Sequence, residues 1–106
     1  MTVDFIRSLR TPSSERFILK DAGGDIGALD LHYLRDGTVQ ATLILIEAAG
    51  TPESQVPALL THIDEVLLPE VSLDDRKLVF TVVMGRVLGA FESQRGSDST
   101  AEQQTD

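Results

Sequence analysis

Apolar residues recur along the chain in segments whose spacing separates strands from a helix. The clearest pair is Gly27–Arg35 and Thr38–Glu47, two apolar-rich segments joined by Asp36-Gly37. A two-residue Asp-Gly linker is typical of a type I′ β-hairpin, because both turn residues need a positive φ. We therefore predict a hairpin in which Arg35 pairs with Thr38.

This register divides the side chains of the hairpin between two sheet faces. One face carries Asp30 and His32 beside Ala41, and the other places Leu31 opposite Thr42. Both faces are apolar in large part, whereas a face in contact with water shows a cleaner alternation. The hairpin is therefore expected to need a cover on both sides.

An amphipathic helix is predicted after the hairpin. The segment Thr51–Ser54 is a helix-start signature, in which Ser54 is the favoured cap because Pro57 is tolerated only in the first turn. Pro69 is expected to end the helix. The apolar positions form one continuous helical stripe, made of Val56, Leu59, Leu60, Ile63, Val66 and Leu67.

The remaining segments carry weaker patterns. Val3–Leu9 places apolar residues on one helical face and predicts a short amphipathic helix. Glu15–Lys20 is apolar at its centre and predicts a first strand. Lys77–Glu92 is rich in β-branched residues and predicts one strand bent at Gly85, or two short strands. Residues 93–106 lack large apolar side chains and are expected to be a disordered tail.

The predicted element order is β-β-β-α-β, with an optional short amino-terminal helix. We expect an α+β domain over residues 1–92, with a single four-stranded, mainly antiparallel sheet packed against one main helix. One helix covers only one face of such a sheet, and a second copy of the chain is the simplest cover for the other. The sequence therefore predicts a homodimer. The alternative is a monomer covered by its amino-terminal helix and the start of its tail.

Composition and charge narrow the function. The 106 residues include nine basic and seventeen acidic ones, for a net charge of −8, and no cysteine. Without cysteine there is no disulfide, no Cys-based zinc or iron–sulfur site and no thiol catalysis. The scattered basic residues disfavour nucleic acid and anionic membranes as partners. No segment approaches the roughly 20 apolar residues of a membrane span, so a cytoplasmic protein is expected.

One pair of residues suggests chemistry. Asp30 and His32 lie two residues apart on one strand face, where a carboxylate can orient an imidazole as a general base. No nucleophile motif accompanies them, and neither a metal-ligand spacing nor a cofactor fingerprint is found. The pair supports an alternative hypothesis, a small enzyme or ligand-binding domain with a pocket on the sheet.

Five carboxylates without a basic residue among them gather around the end of the predicted helix. They could dock a basic partner protein, and the alternative is a solvated helix end. In the absence of a catalytic motif, the sequence favours a non-catalytic protein-interaction module with an adaptor, chaperone-like, inhibitor or immunity role. The candidate partner-binding residues are Asp64, Glu65, Glu70, Asp74 and Asp75.

Overall fold

The computed structural model describes residues 2–68 and 77–94. These residues form an α+β fold with one five-stranded sheet, whose strand order follows the chain, and one α-helix. Two 3₁₀ turns, Glu47–Ala49 and Glu53–Gln55, connect the fourth strand to the helix. The elements are β1 Asp4–Thr11, β2 Ser14–Asp21, β3 Gly24–Tyr33, β4 Val39–Ile46, α1 Val56–Leu67 and β5 Leu78–Gly85.

The sheet is mixed, so the predicted four-stranded, mainly antiparallel sheet is right in class and differs in detail. Strands β1 to β4 pair antiparallel, whereas β5 pairs parallel with β4. The crossover through α1 explains the parallel pair, because a helix carries the chain back to the end of the sheet where β4 began. The strand that the four-stranded prediction lacks is β1.

The amino-terminal segment is a strand, and the predicted short helix is wrong. β1 pairs with β2 along its length, with a register irregularity between Arg7 and Leu9. This bulge places Ile6 and Leu9 on the same sheet face although they are three residues apart, a spacing that imitates a helical stripe. Phe5 lies on the helix side of the sheet, with its ring 5.3 Å from that of His62.

The β3–β4 hairpin exists, but the predicted two-residue turn and its register are wrong. The Leu34 amide donates to the Thr38 carbonyl, and the Gly37 amide donates to the Leu34 carbonyl. The turn therefore has three residues, with Gly37 at a φ of 91°. Asp36 does not adopt the positive φ of a type I′ turn, and its carboxylate instead accepts a bond from the Thr38 amide.

The observed register keeps charged residues out of the core. It pairs Leu31 with Ala41, whereas the predicted register would have put Asp30 and His32 on the buried face beside Ala41. A shift of one residue moves every side chain of a strand to the opposite face. Burial of the leucines therefore selects the longer turn.

The core lies between one face of the sheet and α1. Leu59 and Ile63 are 1% and 0% exposed, whereas Val66 of the predicted stripe is 50% exposed. Pro57 lies in the first turn as predicted, but no side chain caps the helix, which begins after Gln55. The buried apolar residues are Phe17, Leu19, Ile26, Leu29, Leu31, Val39, Ala41, Leu43, Leu45, Leu59, Ile63 and Leu68.

β5 ends at Gly85, so the long strand predicted over Lys77–Glu92 is confirmed only in its first half. Residues 86–94 have no regular secondary structure and are exposed. The predicted tail over 93–106 falls mostly outside the described residues, as do Pro69 and the predicted connection at 71–76.

Candidate interaction surface

The described part of the chain places no element against the sheet face opposite α1, which we call the open face. In the three central strands, β2 to β4, most of the alternate residues that point toward α1 are buried, whereas those on the open face are exposed or half-buried. An antiparallel sheet can leave one face in water when that face is polar. The composition of the open face therefore decides whether it is a surface or a site.

A row of apolar side chains crosses the open face, with one residue from each strand. The pairing registers link Ile6 to Ile18, Ile18 to Ala28, Ala28 to Ile44 and Ile44 to Val83. The end residues, Ile6 and Val83, are 46% and 45% exposed, and the three central ones are half-buried by their neighbours. We call these five residues the apolar row.

A polar row lies beside the apolar row. Arg16 on β2 pairs in register with Asp30 on β3, and Asp30 pairs in turn with Thr42 on β4. The Arg16 guanidinium donates two hydrogen bonds to the Asp30 carboxylate, at 2.6 and 2.7 Å. This bidentate bond raises the pKa of Arg16 and lowers the pKa of Asp30. The two charges therefore satisfy each other on the face.

Both predicted catalytic candidates lie on the open face. The carboxylate of Asp30 is held by Arg16, and within the described ranges no hydrogen bond joins it to His32, whose side chain is exposed. In the same ranges, no three histidine, aspartate or glutamate side chains are grouped so that they could hold a metal ion.

Two clefts lie on the other side of the sheet, near the first turn of α1. One, of about 430 Å³, is lined by residues that include Val3, Ile26 and Leu59. The other, of about 610 Å³, is lined by residues that include Val82 and Met84. Neither Asp30 nor His32 lines either cleft. The clefts therefore do not supply the pocket that the enzyme hypothesis needs.

A buried carboxylate network lies at the opposite end of the helix side, near the β1–β2 turn. Glu15 is 7% exposed and accepts hydrogen bonds from Arg7 at 2.8 Å and from the Tyr33 hydroxyl at 2.5 Å. Arg10 lies 3.6 Å from the same carboxylate. Burial is the larger cause, and the hydrogen bond to Glu15 the smaller one, of a rise in the pKa of Tyr33 to about 12. In the described ranges every buried side-chain polar atom has a partner, so this network is structural.

The predicted acidic cluster is described only in part. Asp64 is half-buried and Glu65 is exposed near the end of α1. Glu70, Asp74 and Asp75 lie outside the described residues. The structure therefore places two of the five candidate partner-binding residues at one helix end.

The sequence predicts a second apolar face on the hairpin, but not the five residues that form the apolar row. Two of its members depend on features that local patterns do not show, because Ile6 belongs to a segment assigned to a helix and Ile44 was paired one residue out of register. The available signal was β4 itself, in which all four odd positions and two of the four even positions are apolar. That pattern indicates a strand with two faces to cover.

Comparisons of the chain with protein-family models, with curated proteins and with solved structures find no match. A search of the described ranges for a helix long and apolar enough to cross a bilayer also finds none.

Proposed function

We propose that the protein is a non-catalytic protein-interaction module that acts as a homodimer. The observation that supports this proposal is the open face, where an apolar row crosses five strands without a covering element in the described ranges. Contiguous exposed apolar patches mark interaction sites more often than ordinary surface. Two-fold dimers are the commonest oligomers, so a second copy is the first partner to test.

An enzyme with a pocket around Asp30 and His32 is the alternative function. It has less support because Arg16 occupies both carboxylate oxygens that would orient the imidazole. A general base also needs a substrate site within hydrogen-bond reach, and the two clefts named above lie on the other side of the sheet.

The acidic residues near the end of α1 belong to the same proposal as a contact for a basic partner protein. Asp64 and Glu65 contribute the described part of this contact. Rim charges of this kind set the rate of encounter more than the affinity. A basic partner would therefore add to the homodimer and would not replace it.

Sedimentation equilibrium tests the homodimer directly. One chain has a mass of 11.5 kDa, and we expect twice that mass at micromolar concentration. A mass of one chain over the whole micromolar range would refute the homodimer. When an excess of a basic protein such as a histone is added, the mass of the complex should correspond to two copies of the acidic chain plus the bound basic protein.

A further inference from the structure

We infer that two copies of the chain pair through their open faces, with apolar row against apolar row. This inference rests on the proposed homodimer and names its interface. Face-to-face packing of two sheets is an established way to build a core from the inward side chains of both. The pair would thus form a sandwich whose outer layers are the two α1 helices.

The charge of the open face favours a second copy over a basic protein. Its strand residues include two basic side chains, Arg16 and Lys20, and three acidic ones, Asp4, Asp25 and Asp30. Arg16 is paired with Asp30, and Lys20 lies 3.3 Å from Asp25. The face is therefore almost balanced, although the whole chain carries −8. A basic partner finds little complementary charge there, and in a second copy each Asp30 is already neutralised by Arg16 of its own chain.

The area of the face is sufficient for a specific dimer. Five strands about 4.8 Å apart, with about eight residues rising about 3.3 Å each, cover roughly 600 Å². Two such faces would bury roughly 1,200 Å² in total, at the lower end of the range of about 1,200–2,000 Å² for specific complexes. The side chains that stand out from the sheet add to this area.

The apolar row also suits two-fold symmetry. Ala28 is its central residue and lies on β3, the central strand of the sheet. A two-fold axis that lies midway between the two sheets, parallel to β3 and directly over Ala28, places Ile18 against Ile44 of the partner subunit. The same axis places Ile6 against Val83 of the partner subunit. Because Ala28 is small, the two β3 strands can approach closely at the axis. The larger side chains of the apolar row meet on either side of the axis.

The first experiment changes the apolar row while it preserves the strands. Threonine is β-branched like isoleucine, so the double variant Ile18→Thr/Ile44→Thr keeps β propensity and loses apolar surface. We expect its dimer dissociation constant in sedimentation equilibrium to rise by at least about 100-fold, since four apolar side chains per dimer are changed. Val66→Thr, on the exposed side of α1, is the matched control and should leave the dissociation constant unchanged.

The second experiment tests the interface without weakening the dimer. Because the chain has no cysteine, Ala28→Cys and Ala58→Cys each carry a single thiol. Ala58 is exposed on α1 and lies away from the open face. A bifunctional thiol reagent that spans about 5 Å should link Ala28→Cys into a covalent dimer and leave Ala58→Cys as single chains, because sheets pack about 10 Å apart and each facing side chain reaches about 2.5 Å into that gap.

The outcomes separate this inference from the proposed homodimer. Two outcomes would overturn the face-to-face interface and leave the homodimer standing. In the first, both cysteine variants are dimers but only Ala58→Cys is linked. In the second, Ile18→Thr/Ile44→Thr stays dimeric. A chain that is monomeric at micromolar concentration would overturn both. In that case slow labelling of Ala28→Cys by a monofunctional maleimide would indicate that the chain covers its own open face, and fast labelling would leave the face free for a different protein.

Discussion

At the scale of single residues, Gly27 is fixed by the close approach of the neighbouring strand. A Cβ atom at this position would overlap the carbonyl oxygen of Ile44 and lie 3.2 Å from the Cα atom of Leu45. Both contacts are with the backbone of β4, which cannot rotate away as a side chain can. Overpacking of a well-packed site costs about 1–3 kcal/mol and occasionally more.

We therefore expect Gly27→Ala to lower the free energy of unfolding by at least about 2 kcal/mol in urea denaturation. Gly85→Ala is the matched control, since no heavy atom lies within 4 Å of a Cβ atom built there. It should change the free energy by less than about 0.5 kcal/mol. Equal effects of the two substitutions would mean that the strands are not as close at Gly27 as the structure shows.

Tyr33 gives a second prediction at this scale, because it is the single tyrosine of a chain without tryptophan. Its pKa is raised to about 12 by burial and by its bond to Glu15. Phenolate absorbance should therefore titrate near pH 12 in the folded protein. In Glu15→Gln the titration should fall only part of the way toward the ordinary value of about 10, because burial, the larger cause of the shift, remains. A folded protein that titrates near pH 10 would contradict both the burial of Tyr33 and its hydrogen bond to Glu15.

The same shift predicts the sign of a stability change. The folded-state pKa of Tyr33 lies above the unfolded one, so its contribution is complete below pH 10 and is lost as the pH rises toward 12. A full shift corresponds to about 1.4 kcal/mol per pH unit. Because Tyr33 is only partly buried, solvent screening reduces this to a fraction of that value. The dependence should be absent in Tyr33→Phe.

At the scale of elements, the attachment of α1 depends on two side chains. Leu59 and Ile63 are its fully buried residues, one turn apart, and both join the core of the sheet. Removal of a buried aliphatic side chain without collapse of the site costs about 2–5 kcal/mol.

Ile63→Ala should therefore lower the free energy of unfolding by about 2–5 kcal/mol. Val66→Ala, which changes a half-exposed residue of the same helix, should stay within about 0.5 kcal/mol, because the higher helix propensity of alanine offsets the lost contacts. Urea denaturation measures both. A comparable loss in Val66→Ala would mean that the helix is rotated from the observed orientation.

Elements also show how far the sequence could be interpreted. The α1 stripe and the apolar centre of β2 carry strong local periodicity, and both elements were predicted in place. The register of the β3–β4 hairpin was not, because Asp36-Gly37 fits a two-residue and a three-residue turn equally well in sequence. Only the burial of Leu31 opposite Ala41 distinguishes them, and that is a property of the whole sheet.

The candidate site was harder to predict than the elements for the same reason. The apolar row requires the registers of five strands to be correct together, and one bulge or one shifted turn breaks it. The ion pair of Asp30 could not be predicted from local patterns, because its partner, Arg16, lies on another strand and is fourteen residues away. Local patterns identify which strand has two apolar faces, whereas pairing between strands decides what those faces form.

At the scale of the whole molecule, the distribution of charge leads to a prediction about salt. Each chain carries −8, so two copies repel each other at long range. The open face contributes little to this charge, because its ion pairs are internal to one chain. The interface we propose is therefore held by apolar contact and opposed by charge elsewhere.

Salt should strengthen such a dimer, because the Debye length falls from about 14 Å at 0.05 M to about 4 Å at 0.5 M and screens the repulsion. We expect the dissociation constant to fall by several-fold over this range in sedimentation equilibrium. The double variant Glu53→Gln/Glu65→Gln removes two exposed negative charges away from the open face, so it should dimerise more tightly at low salt and respond less to added salt. An interface built on pairing between unlike charges would give the opposite sign, since salt weakens it. The direction of the salt effect thus distinguishes an apolar sheet interface from a contact through the acidic end of α1.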